Sequence, residues 1–432
     1  MADTEDPGSR RAHLAGRYRQ VRALTEALAA PLSAEDQTVQ TMPEVSPTKW
    51  HRGHTSWFFE TFLLQPALDG YRDCHPAYGY IFNSYYEAVG ARHPRAERGQ
   101  ISRPGAEEVG HYRAHVDRAM DRLLAGDLAP DTLDLVELGL NHEQQHQELL
   151  LMDIKHVLSK NPLQPAYLPD ATAGAGDQSE VTKPGWTEHQ GGIVQAGHPG
   201  GRFGYDNEFP RHDILLAPFA LADLTVTCGE WLAFMDDGGY DRPELWLSDG
   251  WALVQAERRA APLYWSEEGP GSWEVFGLAG RRSVDPVEPA GHLDYYEADA
   301  FARWSGARLP TEIEWEAVAA GSPVDGNLLD PSAPATGGPI AGAPHPIGST
   351  GGSRQLFGDV WEWTRSAYDA YPGFRPAAGA VGEYNGKFMV NQYVLRGGSC
   401  ATPADHIRPT YRNFFPAGAR WAFSGLRLAR DL

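Results

Sequence analysis

Apolar residues in the first 160 positions recur every three or four places, the spacing that puts side chains on one face of an α-helix. Leu14, Tyr18, Val21, Leu24 and Leu28 follow it within "RRAHLAGRYRQVRALTEALAA". A second helix is predicted over "SPTKWHRGHTSWFFETFLL", with Ser46 as N-cap and Pro47 at the first helical position. A third carries Val109, Tyr112, Val116, Met120 and Leu123, and a fourth runs from about Asp131 to Leu158. Four amphipathic helices with one long connection predict a four-helix bundle, an architecture that builds metal sites from inward-facing side chains.

The helical period stops after residue 160. "KNPLQPAYLPDATAGAGDQSEVTKPG" is rich in Pro, Gly and Ala and reads as a connection. Beyond it lie short strand-like pieces, such as "DILLAPFAL" and "QYVLRGGS", among many Gly, Pro and Trp residues. Only one or two helices stand out there, notably "DYYEADAFARWSGA". The expected division is a bundle over 1–160, a connection over 161–187 and an irregular, loop-rich α+β domain over 188–432, with no internal repeat.

Composition then excludes partners. A chain of 432 residues with 42% apolar and 22% charged residues is ordinary for a globular protein of two or three domains. The net charge of −20 opposes nucleic acid as a partner, because phosphates are repelled at long range. No apolar run reaches membrane-spanning length, and "MADTEDPGSRR" lacks the apolar core of a signal peptide. The expectation is a cytoplasmic protein with no membrane partner. Cys74, Cys228 and Cys400 form no CxxC pair, so buried, reduced thiols are expected. Oligomeric state, including any homo-oligomer, is left open.

The chemistry starts from "LNHEQQHQELL", residues 140–150, which contains the His-Glu-x-x-His spacing of zinc proteases. Leu138, His142, Gln145, His146 and Leu149 share one stripe of the fourth helix, so both imidazoles can reach one ion. The competing reading is a hydrogen-bonded pair in a bundle core; a pair spaced by four within an apolar stripe favours a metal. Trp50, His54, Trp57 and Phe58 fall on one face of the second helix, which offers His54 as the third ligand; His51 lies roughly 60° off that stripe. A metzincin would need another histidine where Met152 stands, and a thermolysin-like site would need a glutamate on a following helix, where the connection begins. Glu143 projects about 100° from His142. Three neutral histidines leave two or three positions open, for a hydrolytic water on zinc or for substrate and dioxygen on iron(II); spacing does not choose between them.

Taken together, "WHRGHTSWFFETFLL", "NHEQQHQELL" and the run "GDVWEWT … YVLRGGS … RPTYRNFFPAGARWAFSGLRLAR" resemble the ergothioneine-biosynthesis sulfoxide synthases across nearly the whole chain. The resemblance implies a DinB-like bundle joined to a domain of the formylglycine-generating-enzyme type, which is C-type-lectin-like. It implies Fe(II) on His54, His142 and His146, with O2 as co-substrate. The implied reaction joins a thiol to C2 of the imidazole of hercynine (Nα-trimethylhistidine) and delivers a sulfoxide. It also implies a proton donor that keeps the thiol from being oxidised to sulfinic acid instead.

The branch is read from departures. The segment "VGEYNGKF" keeps Tyr384, but Gly or Val stands where the γ-glutamylcysteine-using branch carries its catalytic tyrosine. The resemblance therefore points to the "NSYY" pair, Tyr85 or Tyr86, as proton donor. Arg95 and Arg98, in a cluster with Arg92, are candidates to clamp a substrate carboxylate in bidentate fashion. Phe415 replaces the aspartate that would bind a glutamyl amine; with Arg420 this fits a smaller donor, free cysteine. Gln145 and Asn413 map onto residues that hold hercynine's polar end, and Phe414, Phe415 and Tyr411 are aromatic candidates for its trimethylammonium. "GDVWEWT" and "LPTEIEWE" are read as structural. The alternatives are γ-glutamylcysteine or a selenosugar as donor, histidine as acceptor as in ovothiol synthesis, a zinc hydrolase, or a non-catalytic binding module.

Overall fold

The computed structural model describes residues 7–168, 185–332, 344–347, 355–377, 382 and 384–432. Four helices make the first half: α1 (Pro7–Ala29), α2 (Thr48–Phe59), α3 (Ala106–Ala125) and α4 (Pro130–Lys160). α4 packs on α1 and α2, and α3 packs on α2. The stripes meet as the periodicity demands: Leu14, Tyr18 and Val21 share a core with Trp57, Phe58, Val109, Tyr112, Val116, Met120 and Leu140.

Two details of α2 depart from the sequence reading. Ser46 does not cap the helix: Pro47 occupies the cap position, and the Ser46 hydroxyl instead accepts from Arg98 Nη1 at 2.9 Å. The helix also widens into a π-helical turn over Glu60–Leu64 rather than running on uniformly. Glu60 there accepts from the Tyr71 and Tyr112 hydroxyls, at 2.6 and 2.5 Å.

The long connection from α2 to α3 folds back over α2 through a short helix, Tyr78–Phe82. Gly53 permits this approach, since a Cβ there would lie 2.2 Å from the Phe82 ring. The connection thereby delivers the Phe82 carbonyl, Tyr85, Tyr86 and Arg98 to the inner face of α2.

The second half is an α+β assembly of small sheets, as expected. One sheet orders strands Asn413–Pro416, Gln392–Arg396, Trp361–Ala367 and Ser424–Gly425; another joins Trp186–His189, Phe219–Thr225 and Arg427–Asp431. "DILLAPFAL" is two strands, His212–Leu216 and Phe219–Thr225, broken near Pro218, which has no N–H to give a ladder. Among the described residues four helices of at least eight residues occur rather than one or two: Cys228–Asp236, Ser248–Glu257, Tyr295–Trp304 and Glu312–Ala319. The extra ones are short, so tertiary packing of side chains such as Trp231 and Phe234 fixes them more than any long period does.

Asn161–Leu168, the start of the expected connection, is pinned between the halves. The Tyr167 and Leu168 N–H groups reach the Leu278 carbonyl at 2.8 and 3.2 Å, and the Tyr167 hydroxyl donates to the Leu28 carbonyl at 2.6 Å. Residues 169–184 lie outside the described residues. Cys228 and Cys400 are buried, but Cys74 is exposed, against expectation. Among the described residues no helix is long and apolar enough to cross a membrane.

Candidate metal centre

His54 from α2 and His142 and His146 from α4 converge. One nitrogen from each lies within 4.8 Å of the others, and the ring centroids stand 4.6–4.9 Å apart. His54 lies between two tryptophans, stacked on Trp50 at 4.7 Å and on Trp57 at 5.4 Å. Its Nδ1 is 2.6 Å from the Phe82 carbonyl, which can only accept, so Nδ1 carries the proton and Nε2 presents a bare lone pair. That lone pair faces His142 Nε2 at 3.2 Å.

All three rings are kept neutral. Burial drives His142 down to about 3, against the pull of Glu143. Burial, reinforced by the neighbouring imidazoles, holds His54 and His146 well below the usual histidine range. Neutral imidazoles crowded nitrogen to nitrogen, with the Nε2 atoms of His54 and His142 3.2 Å apart, fit a cation. Two metal–nitrogen bonds of about 2.0–2.1 Å at tetrahedral or right angles separate their nitrogens by about 3 Å. The residues therefore suit a divalent transition metal.

Glu143, the residue that would be a protease's base, is turned away into the bundle. It accepts from Thr25 (2.7 Å), Arg22 (3.0 Å) and Arg113 (2.8 Å). Burial alone would raise its carboxyl, but the two guanidiniums outweigh that and hold it at about 2. It ties α1, α3 and α4 together and has no access to the histidines' open side.

That open side faces the second half of the chain. Tyr384 lies edge-on to His142 at 5.6 Å and donates to Gln145 Oε1. Gln145 Nε2 donates to the Tyr411 hydroxyl at 2.6 Å, which meets His406 Nε2 at 3.1 Å, while His406 Nδ1 meets Asn141 Oδ1 at 3.1 Å. Tyr205 stacks on Tyr384 at 5.4 Å. Burial pushes the Tyr205, Tyr384 and Tyr411 phenols up, so they stay protonated donors.

Known proteins match along most of the chain. Residues 17–150 match the DinB superfamily model, and residues 175–432 match the sulfatase-modifying factor enzyme 1-like domain. The hercynine oxygenase of Mycolicibacterium thermoresistibile is 33% identical over 416 residues, covering 90% of this chain and 88% of that one. The chain belongs to the hercynine oxygenase family. The hercynine oxygenase of Mycolicibacterium smegmatis is 34% identical, over 90% of this chain and 92% of that protein. Ergothioneine biosynthesis protein 1 of Schizosaccharomyces pombe is 28% identical over 53% of this chain and 28% of its own. Membership of the hercynine oxygenases makes the chain an oxidoreductase.

Within this hercynine oxygenase fold the other candidate residues separate. Tyr86 is fully buried and packs on Trp57 at 5.5 Å, and Tyr85 stacks on it at 4.7 Å. Tyr85 also meets Phe388 at 5.1 Å and Tyr384 at 6.4 Å, so both phenols belong to the wall beside the triad. Arg98 enters the interior. Its guanidinium lies 3.4 Å from the Trp50 ring centroid and donates to Ser46 and Ser84, with Nε buried and unpartnered. Arg95 stays exposed, donating to the Glu44 carbonyl at 2.5 Å; Arg92 is exposed as well and pairs with Glu87 at 2.8 Å.

Arg420 does not reach the site. Its guanidinium pairs with buried Glu297 at 2.8 Å and donates to the Ala261 carbonyl, so its charge is spent inside the second half. Asn413, Phe414 and Phe415 are consecutive on one strand, so Phe414 points to the opposite face from its neighbours. Phe414 stacks on Tyr368 at 4.0 Å and faces Phe388 at 6.0 Å, towards Tyr85; Phe415 packs on Trp421 at 5.7 Å. The three cannot line one ligand together. His406, Tyr205, Asn141 and Asp153 escaped the sequence reading, and His51 entered it only as a residue off the metal-facing stripe. For Asn141 and Asp153 the one signal was their place as polar residues on α4, where a core would be apolar.

Proposed function

We propose that this chain is a nonheme iron(II), O2-dependent sulfoxide synthase that joins the sulfur of cysteine to C2 of the hercynine imidazole. The observation that carries the reading is the convergence of three neutral imidazoles, His54 and His142 buried and His146 half-buried, beside the Tyr85–Tyr86 pair. The net reaction takes hercynine, cysteine and O2 to hercynylcysteine sulfoxide and water. The C2–H and S–H bonds break, the C–S bond forms, one oxygen atom ends on sulfur and the other leaves as water. Iron(II), bound by His54, His142 and His146, would supply the redox chemistry with O2.

The protein's own groups do the rest. Gln145 is held between Tyr384 and Tyr411 at the edge of the triad, in place to orient hercynine's polar end. Tyr384, Tyr411 and Tyr205 offer aromatic faces to its trimethylammonium, which has no proton to donate. Arg98 is a buried cation that makes no direct ion pair among the described residues, with only the Asp153 charge acting on it from nearby, so a substrate carboxylate is its proposed counter-ion. A phenol of the Tyr85–Tyr86 pair delivers the proton that keeps reduced oxygen on the sulfoxide path. Arg95 and Arg420, held elsewhere by Glu44 and Glu297, are not needed for this assignment.

The test is anaerobic loading with Fe(II), then oxygen uptake and mass spectrometry with hercynine and each thiol separately. Uptake and sulfoxide with cysteine are expected. Turnover of γ-glutamylcysteine with cysteine ignored would overturn the donor assignment, and hydrolytic activity with zinc alone would overturn the reaction class.

A further inference from the structure

We propose that Asp153 and His51 form a positioning chain that sets the ring orientation and the proton of the metal ligand His146. The inference rests on the triad being a metal centre. His51 sits one helical turn before His54 but makes a different connection. Its Nδ1 lies 2.9 Å from His146 Nδ1, and its Nε2 lies 3.0 Å from Asp153 Oδ2. The same carboxylate oxygen accepts the Ser46 backbone N–H at 2.7 Å. His51 and Asp153 are each only 3% exposed.

The proton positions follow from what each atom can do. An ionised carboxylate only accepts, so His51 Nε2 carries its ring's proton. His51 Nδ1 is then the acceptor and His146 Nδ1 the donor of the contact between the two rings. That leaves His146 Nε2 bare, towards His54 and His142.

The three ligands are thus oriented by different means. His54 is fixed by a backbone carbonyl, which no side-chain substitution can remove. His142 Nδ1 has no hydrogen-bond partner among the described residues. Only His146 is held by an acid acting through a second imidazole. Asp153 also leaves Oδ1 buried and unpartnered, a costly state for a carboxylate. A stability role alone does not account for that cost; orientation of a metal ligand does, because outer partners of ligating histidines fix the tautomer and raise ligand basicity.

The test uses the full chain, stripped of metal and titrated anaerobically with Co(II) against a competing chelator, with the visible absorption of bound cobalt recorded. Wild-type protein is expected to bind one cobalt. His51→Phe, which removes the acceptor, is expected to weaken binding about 10–100-fold and to shift the absorption bands. Asp153→Asn, which keeps the shape and removes the charge, is expected to move both readouts the same way by a smaller factor. Circular dichroism checks folding; if His51→Phe fails to fold, Asp153→Asn decides the matter alone. Folded variants with wild-type affinity and an unchanged spectrum overturn the positioning chain while leaving the metal centre standing. Wild-type protein that binds no cobalt overturns the metal centre, and the chain with it.

Discussion

At the residue scale the site is governed by which polar atoms lack partners. Arg98 is the one arginine of the 92–98 cluster that goes inside, where burial and the nearby Arg95 depress its guanidinium. A substrate carboxylate removes that penalty, so Arg98→Leu should raise KM for cysteine at least about tenfold, the loss of one charge-assisted contact. Iron content should not change, and steady-state kinetics with parallel metal analysis separates the two. Tyr85 and Tyr86 carry the second residue-scale expectation. Replacing the proton donor by Phe should divert turnover from sulfoxide towards cysteine sulfinate, read by product analysis; wild-type product ratios in both variants would remove the pair from the chemistry. The sequence made His54, His142 and His146 legible because a helix turns spacing into direction. Arg420 was misplaced because nothing local announces Glu297 as its partner, 123 residues away.

At the element scale α4 serves two cores. One face carries the histidines, and another presents Asn141, Gln144, Gln145, Glu148 and Lys155 to the second half. Fully buried by its surroundings, the Glu148 carboxylate accepts from Trp361 (2.7 Å), Ser399 (2.6 Å) and Thr402 (2.8 Å). Gly397 and Gly398, at φ +98° and +82°, make the turn that brings Ser399 there. Glu148→Gln sets an amide donor against hydroxyl or indole donors, a mismatch worth about 1–3 kcal/mol. Turnover should fall while iron affinity holds, since the ligands lie in the bundle; equal losses of both would show that Glu148 serves the metal instead.

Lys155 gives the same interface a pH dependence. It contacts His292 Nε2 at 2.6 Å, and burial lowers its ammonium to about 7 from 10.5. Between those values the unfolded chain binds a proton that the folded chain lacks, so stability rises with pH across that window. The rise from pH 7 to pH 9 should be on the order of 2 kcal/mol from this group. Denaturant titrations at the two pH values should show it in the wild type and lose it in Lys155→Met. Periodicity revealed α4 itself, but not which polar positions dock, because the sheets that receive them are assembled from distant segments.

At the scale of the whole molecule, the bundle supplies the three histidines, and the second half closes their open side with Tyr384, Tyr411 and His406. Fold class could be read from the sequence because long helices leave a period and a Gly/Pro-rich run marks its end. The short helices and the strand pairing could not, since they depend on non-local packing and on buried ion pairs such as Glu312 with Arg396 and Arg412, both at 2.8 Å. Neither half is the site alone, and metal binding is the property on which the proposal for both converges. The most direct measurement is the number of Fe(II) ions bound per chain under anaerobic conditions, in the wild type and in folded His54→Ala. One iron per wild-type chain, lost in His54→Ala, is the predicted result; undiminished iron in His54→Ala would contradict the three-histidine centre.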